Sequence, residues 1–428
     1  MKTLPIILGG GLSGLSACYH GNGIIYEKCD SAGGQARSHF NEGYVFDEGI
    51  HVMHTQNEYV LELMDKLEVN MDIRERSAWI QSHGAMTRYP FQANTYGLPV
   101  GIVKDCLLGF IQNDFIDVDN INNYQDWLYY MFGKGIAEHF MIPYSQKFWG
   151  VDAVDLTTEW VNVRHPKPSM EEVVNGALQD QAKGFGVNAV YRYPKKGGYG
   201  FIGKRLIEKC EGRIHTGMEA TRIDLSAKKI EFNGKEELPY EKILSSLPLP
   251  ELIRIIPDAP DDVRQAVKKL RTNSMFVVNL GINKSNLTDK NWIYYLEKEY
   301  SFIRVSFPSN QSDYVAPPGV STIMAEVAYG NDNSLPEPRE KMIDRVIIDL
   351  QKAGVIESND EIVYKDAVDI KYAYVLFDKD RKSSIKTIHE YLKAHDIIPF
   401  GRYGLWAYLW SDEAILSGKK AAEKASKS

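Results

Sequence analysis

The first residues able to do chemistry are glycines. Gly9, Gly11 and Gly14 form a G-x-G-x-x-G pattern, directly after the apolar run Leu4 to Leu8 and before Leu15 to His20, whose composition suits a helix. Strand, tight turn and helix in that order aim a helix amino terminus, with its free N–H groups and positive dipole end, at a phosphate. The first glycine permits the turn, the second lets the backbone approach a pyrophosphate across Leu12 and Ser13, and the third lets the helix pack on the strand. The run Ile24-Ile25-Tyr26 follows, ending in Glu27, an acid 18 residues after Gly9. Such an acid is placed to accept the ribose hydroxyls of an adenosine. These features predict a dinucleotide site. Pro5 departs from the pattern by falling inside the first strand, where proline belongs at an edge or an end.

A second glycine pair with a cation follows at Gly33, Gly34 and Arg37, and then Phe46-Asp47-Glu48-Gly49-Ile50-His51. By type alone, Arg37 is a surface cation and His51 a satisfied core histidine. No Ser/His/Asp, metal-ligating or paired-carboxylate constellation stands out in the rest of the chain, so no metal is assigned.

The chain has 428 residues, length for two or three domains, with 44% hydrophobic and 25% charged residues, as in folded soluble proteins. Fifty basic against 57 acidic residues give a net charge of −7, which supplies no global field for a polyanion. Nucleic acid is not an expected partner. Four cysteines without C-x-x-C spacing fit a reducing compartment, and neither a signal peptide nor a membrane-spanning run is evident. A cytoplasmic protein is expected, without membrane insertion.

The elements that must position these residues alternate in type. From about Asp105 to Lys183 apolar residues recur at helical spacing, predicting a helical insertion over 95–185. Strand-like runs follow at Val190 to Tyr193, Arg213 to Leu225, Lys229 to Phe232 and Ile243 to Leu247, with a hairpin signal at Asn233-Gly234. Further strand-like runs from Met275 to Tyr374 surround one amphipathic helix near Arg339 to Ala353. The fold class expected is α/β: a discontinuous Rossmann-type domain (1–90, 186–250 and 396–428) with the helical insertion and an antiparallel sheet domain over 251–395. A helix begins near Asp412, and Lys419 to Ser428 reads as a polar tail.

Gly33-Gly34 with Arg37 resembles the second pyrophosphate contact of the amine-oxidase-like FAD superfamily, and Asp47 to His51 resembles its strand and loop beside the isoalloxazine ring. From Leu8 to about Ala421 the chain resembles the eukaryotic type of UDP-galactopyranose mutase. The resemblance rests on Tyr89-Pro90-Phe91-Gln92-Ala93-Asn94, Met141 to Trp149, Thr158 to Arg164, Tyr191 to Gly198 and Gly401 to Tyr408. It implies FAD as cofactor, contacted by the glycines and Glu27 above and by Arg37, Gly49, Met218 and Asp412. It implies a uridine pocket of Tyr89, Phe91 and Gln92, a phosphate clamp of Arg164 and Arg304, and phosphate-directed hydroxyls on Tyr294, Tyr374 and Tyr408. Asn188 joins the substrate set, and Trp160 joins it as a pocket-wall residue with no chemistry assigned. Arg402 and His51 resemble residues beside the flavin, and Arg76 one concerned with the nicotinamide reductant.

The activity implied is the interconversion of UDP-galactopyranose and UDP-galactofuranose, or a related UDP-sugar, through an adduct between reduced flavin N5 and the sugar, with no net redox change. Such an enzyme serves galactofuranose-containing cell-surface polysaccharides and needs prior reduction by NADPH or NADH. The acidic balance and helical insertion are compatible with a monomer and with a homo-oligomer. The chain departs from the family pattern at Ser145 and Asp412, where asparagines are usual, and at Ala407, where a basic residue is usual. The alternative is a FAD oxidoreductase like the amine or protoporphyrinogen oxidases, which shares the amino-terminal motifs.

Overall fold

Ile6–Leu8 is buried along its whole length and is paired on both edges by parallel strands. The computed structural model describes residues 4–113, 121–161, 167–181, 189–330 and 334–427. Five parallel strands stand in the order Ile397–Pro399, Ile243–Ser245, Ile6–Leu8, Ile24–Tyr26 and Ile214–His215. Segments far apart in the chain therefore share one sheet, as a discontinuous Rossmann-type domain requires. Pro5 sits just before the first strand, where its carbonyl accepts from Ile24 N at 3.0 Å and its missing N–H costs nothing. The helix Leu12–His20 lies tight on the turn: a Cβ on Gly14 would stand 2.0 Å from the carbonyl oxygen of Gly9.

The tail expected from Lys419 is instead helical, continuing the helix Ser411–Lys427. Ala421 and Ala422 are buried on its inner face, and the helix packs against Leu12–His20 closely enough that only glycine fits at position 418. The polar composition there belongs to the outer face of an amphipathic helix.

The helical insertion holds Val100–Ile111, Tyr124–Ile136, Ile142–Trp149 and Met170–Leu178. A capping box starts the last of these, with Ser169 Oγ accepting from Glu172 N at 3.2 Å and Ser169 N donating to Glu172 Oε2 at 2.7 Å. A π-helical turn, Ala137–Met141, leads into Ile142–Trp149, so that Phe140, Tyr144 and Phe148 stack as a ladder with centroids 5.5 Å apart at each step.

The third part is a seven-stranded sheet in the order Ile362–Val375, Thr272–Ile282, Ser321–Tyr329, Arg304–Ser306, Trp292–Tyr295, Ala78–Ser82 and Ala85–Arg88. All neighbours are antiparallel except Trp292–Tyr295 beside Ala78–Ser82. Two strands assigned by sequence to segment 1–90 thus belong to this sheet. The exchange has a physical reason: Trp292–Tyr295 would otherwise be an open edge, and Ala78–Ser82 covers it. Register sets Tyr294 beside Arg304 and Arg304 beside Glu326, a row of three across neighbouring strands. Among the described residues no helix is long and apolar enough to cross a membrane.

Gly418→Ala would place a methyl 2.2 Å from the carbonyl oxygen of Ser13. Overpacking at this helix contact should cost about 1–3 kcal/mol, read as a lower urea midpoint with unchanged m-value.

Candidate active site

Two cavities meet at the carboxyl end of the parallel sheet. The larger, about 590 Å³, runs over the glycine turn. The smaller, about 240 Å³, lies between the seven-stranded sheet and the helical insertion. Gln35, Glu48, His51, Arg402, Trp410 and Ser411 line both, so the two are continuous.

Gly9, Gly11, Leu12 and Ser13 form the floor of the larger cleft, with Gly33 and Gly34 opposite. A Cβ on Gly11 would find no atom nearer than Gly34 Cα at 3.8 Å and would fill the cleft instead. Gly34 has φ +56°, and a Cβ there would strike Gly11 Cα at 2.8 Å. Gly14 acts beneath the floor, as helix contact. Glu27 lines the cleft at the end of its strand, held by Gly10 N at 2.7 Å and Cys29 N at 2.9 Å. Arg37 and Met218 line it too. Arg37 Nη2 is 2.8 Å from Glu48 Oε1. Burial alone would raise the Glu48 pKa, but the hydrogen bond from His39 and the charge of Arg37 outweigh it and hold the carboxyl below its usual range. A glycine floor open to phosphates, an acid at the second strand end and a cavity of dinucleotide size fit FAD.

The segment from Asp47 onward carries the junction. Asp47 is buried and accepts from Ser38 Oγ at 2.5 Å, Tyr193 OH at 2.7 Å and Tyr199 N at 2.9 Å. Gly49 follows with φ +83° and lines the smaller cavity rather than the dinucleotide cleft. His51 Nδ1 lies 3.1 Å from the carbonyl oxygen of Gly49, which can only accept, so Nδ1 carries the proton. Burial lowers the His51 pKa despite the nearby Asp47, and the ring, stacked on Tyr199 at 5.3 Å, is neutral. Asp412 lines neither cavity. The terminal helix begins at Ser411, which lines the junction with its hydroxyl bonded to Tyr199 OH, and Asp412 falls within the first turn.

The smaller cavity is walled by Tyr89, Tyr294, Tyr374, Tyr408 and Trp160. Burial pushes the Tyr89 and Tyr374 phenols above their usual pKa, which leaves them hydroxyl donors at neutral pH. Arg304 also lines it and donates from Nε to Glu326 Oε2 at 2.6 Å. Arg402 is held by carbonyls instead: Nε and Nη2 reach Leu409 O at 3.0 and 2.5 Å, and Nη1 reaches Ala373 O at 3.3 Å. Arg76 lies with Cζ 4.1 Å over the Tyr89 ring and 5.1 Å over Trp292. Glu48, the other carboxylate of this lining, is matched by Arg37 of the dinucleotide cleft; among the described residues neither Arg402 nor Arg76 has a carboxylate within ion-pair distance, so Glu326 balances one cation and two remain. The cavity carries net positive charge against aromatic walls, and its guanidiniums and ring faces suit an anionic ligand.

Phe91 and Gln92 stand apart from the other sequence-derived candidates. Both are buried behind the wall, and Phe91 stacks on Phe140 at 4.7 Å as the end of the aromatic ladder. Their helical turn, Phe91–Ala93, places Phe91 in the apolar core beside the insertion. Arg164 and Asn188 lie outside the described residues. Sequence reasoning missed Glu326, whose signal was available: it is the one charged residue in the apolar strand Ser321–Tyr329. Tyr144, Ser411 and His54 also line the site and carried no comparable signal.

A model of NAD(P)-binding Rossmann-like domains matches residues 7–67, and a model of flavin containing amine oxidoreductases matches residues 126–370, more than half of the chain. Among solved structures, a reduced UDP-galactopyranose mutase is similar over 100% of this chain and 96% of its own, with 27% identity and a TM-score of 0.93. A protein from Exiguobacterium sp. 255-15 assigned as a protoporphyrinogen oxidase shares the fold at 16% identity, covering 99% of each chain with a TM-score of 0.77. Putrescine oxidase bound to putrescine does so at 14% identity, covering 100% of each chain with a TM-score of 0.66. The chain belongs to the flavin containing amine oxidoreductase family.

Proposed function

We propose that this protein is a FAD-dependent nucleotide-sugar mutase, interconverting UDP-galactopyranose and UDP-galactofuranose or a related UDP-sugar. The observation that carries the reading is the charge of the smaller cavity: three arginines against two carboxylates, of which Glu48 is already matched by Arg37, among aromatic walls that open on the flavin cleft. Similarity to the reduced UDP-galactopyranose mutase over the whole chain supports the same reading. The flavin, when bound and reduced by NADPH or NADH, supplies a nucleophile for the anomeric carbon and undergoes no net redox change over the cycle.

The chain's own residues hold and release the leaving group. Arg304 and Arg402 stabilise the pyrophosphate as it departs, with Arg164 as the second arm of the clamp. Tyr294, Tyr374 and Tyr408 donate hydroxyls to the same oxygens, and the face of Tyr89 stacks the uracil. Glu326 fixes Arg304 in the row set by the sheet register and, at its other oxygen, accepts from Ile50 N at 3.1 Å, so the phosphate arginine and the loop of His51 keep one spacing. Proximity then does the remaining work, since the anomeric carbon must meet the flavin within contact distance. No side chain is required as acid or base.

Chromatography of UDP-galactopyranose and UDP-galactofuranose incubated with dithionite-reduced protein should show interconversion, and oxidised protein should show none. Failure of both sugars to convert, together with no UDP binding, would replace this reading by a hydride-abstracting oxidase. Arg304→Ala should keep its flavin absorbance and lose on the order of 100-fold in turnover, equivalent to about 3 kcal/mol, because Glu326 is left buried and unpaired beside the phosphates. Loss of flavin with UDP affinity preserved would remove Arg304 from the substrate site.

A further inference from the structure

Trp406 adopts a backbone that tryptophan seldom takes. Its φ is +50°, in the left-handed region, directly after the short helix Gly401–Gly404. Ala407 N donates back to the carbonyl of Arg402 at 2.9 Å, which makes Trp406 the left-handed residue of a helix-ending motif that ordinarily uses glycine. Such a conformation persists where the surroundings over-determine it. The chain leaving this cap runs through Tyr408, whose ring walls the substrate cavity, and Leu409, whose carbonyl holds Arg402. The direction of the cap therefore sets two groups of the site.

Arg381 grips the cap from behind. It opens the helix Arg381–Ala394, is 7% exposed, and donates from Nε and Nη2 to the carbonyl of Trp406 at 2.8 and 2.5 Å. Its Nη1 reaches Glu159 Oε2 at 3.0 Å, next to Trp160, and Cζ lies 3.8 Å over the Phe377 ring. The segment of Trp160 is tied to the same region by Thr157 N donating to Phe377 O at 2.6 Å. One guanidinium thus spans the two segments that bring Trp160 and Tyr408 together, ring centroids 6.2 Å apart. It lines neither cavity.

We propose that Arg381 is a positioning residue: by taking the Trp406 carbonyl in its fork it holds the left-handed cap, and through it the placement of Tyr408 and Arg402 against the pyrophosphate. The inference rests on the nucleotide-sugar reading of the cavity. Lysine at this position keeps the charge but offers a point donor in place of a planar fork.

The test is calorimetric titration of UDP into purified flavin-loaded wild type, Arg381→Lys and Glu159→Gln. Wild type should bind UDP. Arg381→Lys should raise the Kd at least tenfold while flavin content and melting temperature stay near wild type, and Glu159→Gln, which keeps an acceptor for Nη1, should stay within twofold. A Kd within twofold of wild type for Arg381→Lys would overturn the proposal. So would an equal loss in Glu159→Gln, which would place the effect in the Trp160 segment, and so would loss of flavin or of cooperative melting in Arg381→Lys, which would make the residue a support of the fold. Wild type without UDP binding would instead reject the nucleotide-sugar reading itself.

Discussion

A buried carboxylate between a cation and a backbone amide is the constraint around which this site is built. Glu326 stands in a strand that is otherwise apolar and gives one oxygen to Arg304 and the other to Ile50 N. Removed from water, it is tolerated because both oxygens are used, and it supplies the opposite charge for the buried arginine it faces. The seven-stranded sheet and the loop beside the flavin cleft are thereby joined at one side chain.

The remaining charges follow a different rule. Arg402 and Arg76 are held by carbonyl dipoles and aromatic faces, which fix a guanidinium without neutralising it. A cavity can then hold its arginines in place and still keep their charge for a ligand. The pairing of Arg37 with Glu48 in the dinucleotide cleft shows the opposite choice, where the cation is matched by its own acid.

The glycine turn, its flanking strands and Glu27 were legible in the sequence because each residue there answers a local backbone requirement. The hairpin at Asn233-Gly234 was legible for the same reason, and both residues have positive φ. What was not legible depends on register or on distant pairing. The two strands at 78–88 join the sheet domain because an edge far along the chain needs covering. Phe91 sits in a block that resembles a base-binding motif, yet within a three-residue helical turn its ring stacks on Phe140 in the aromatic ladder. Asp412, which the resemblance marks as a cofactor contact, falls in the first turn of a helix that begins one residue earlier, at Ser411.

The parallel sheet has a consequence for how the chain is made. Its central strand is Ile6–Leu8, but the outermost partner, Ile397–Pro399, and the helix that packs on Leu12–His20 are synthesised only after the other two parts. During translation the first strands must wait with one side of their sheet and the back of their first helix uncovered. Contacts of such sequence separation close slowly and leave apolar surface open to association meanwhile. The glycine-lined cleft, which Gly401 and Ser411 help to line, is complete only when these late segments are in place.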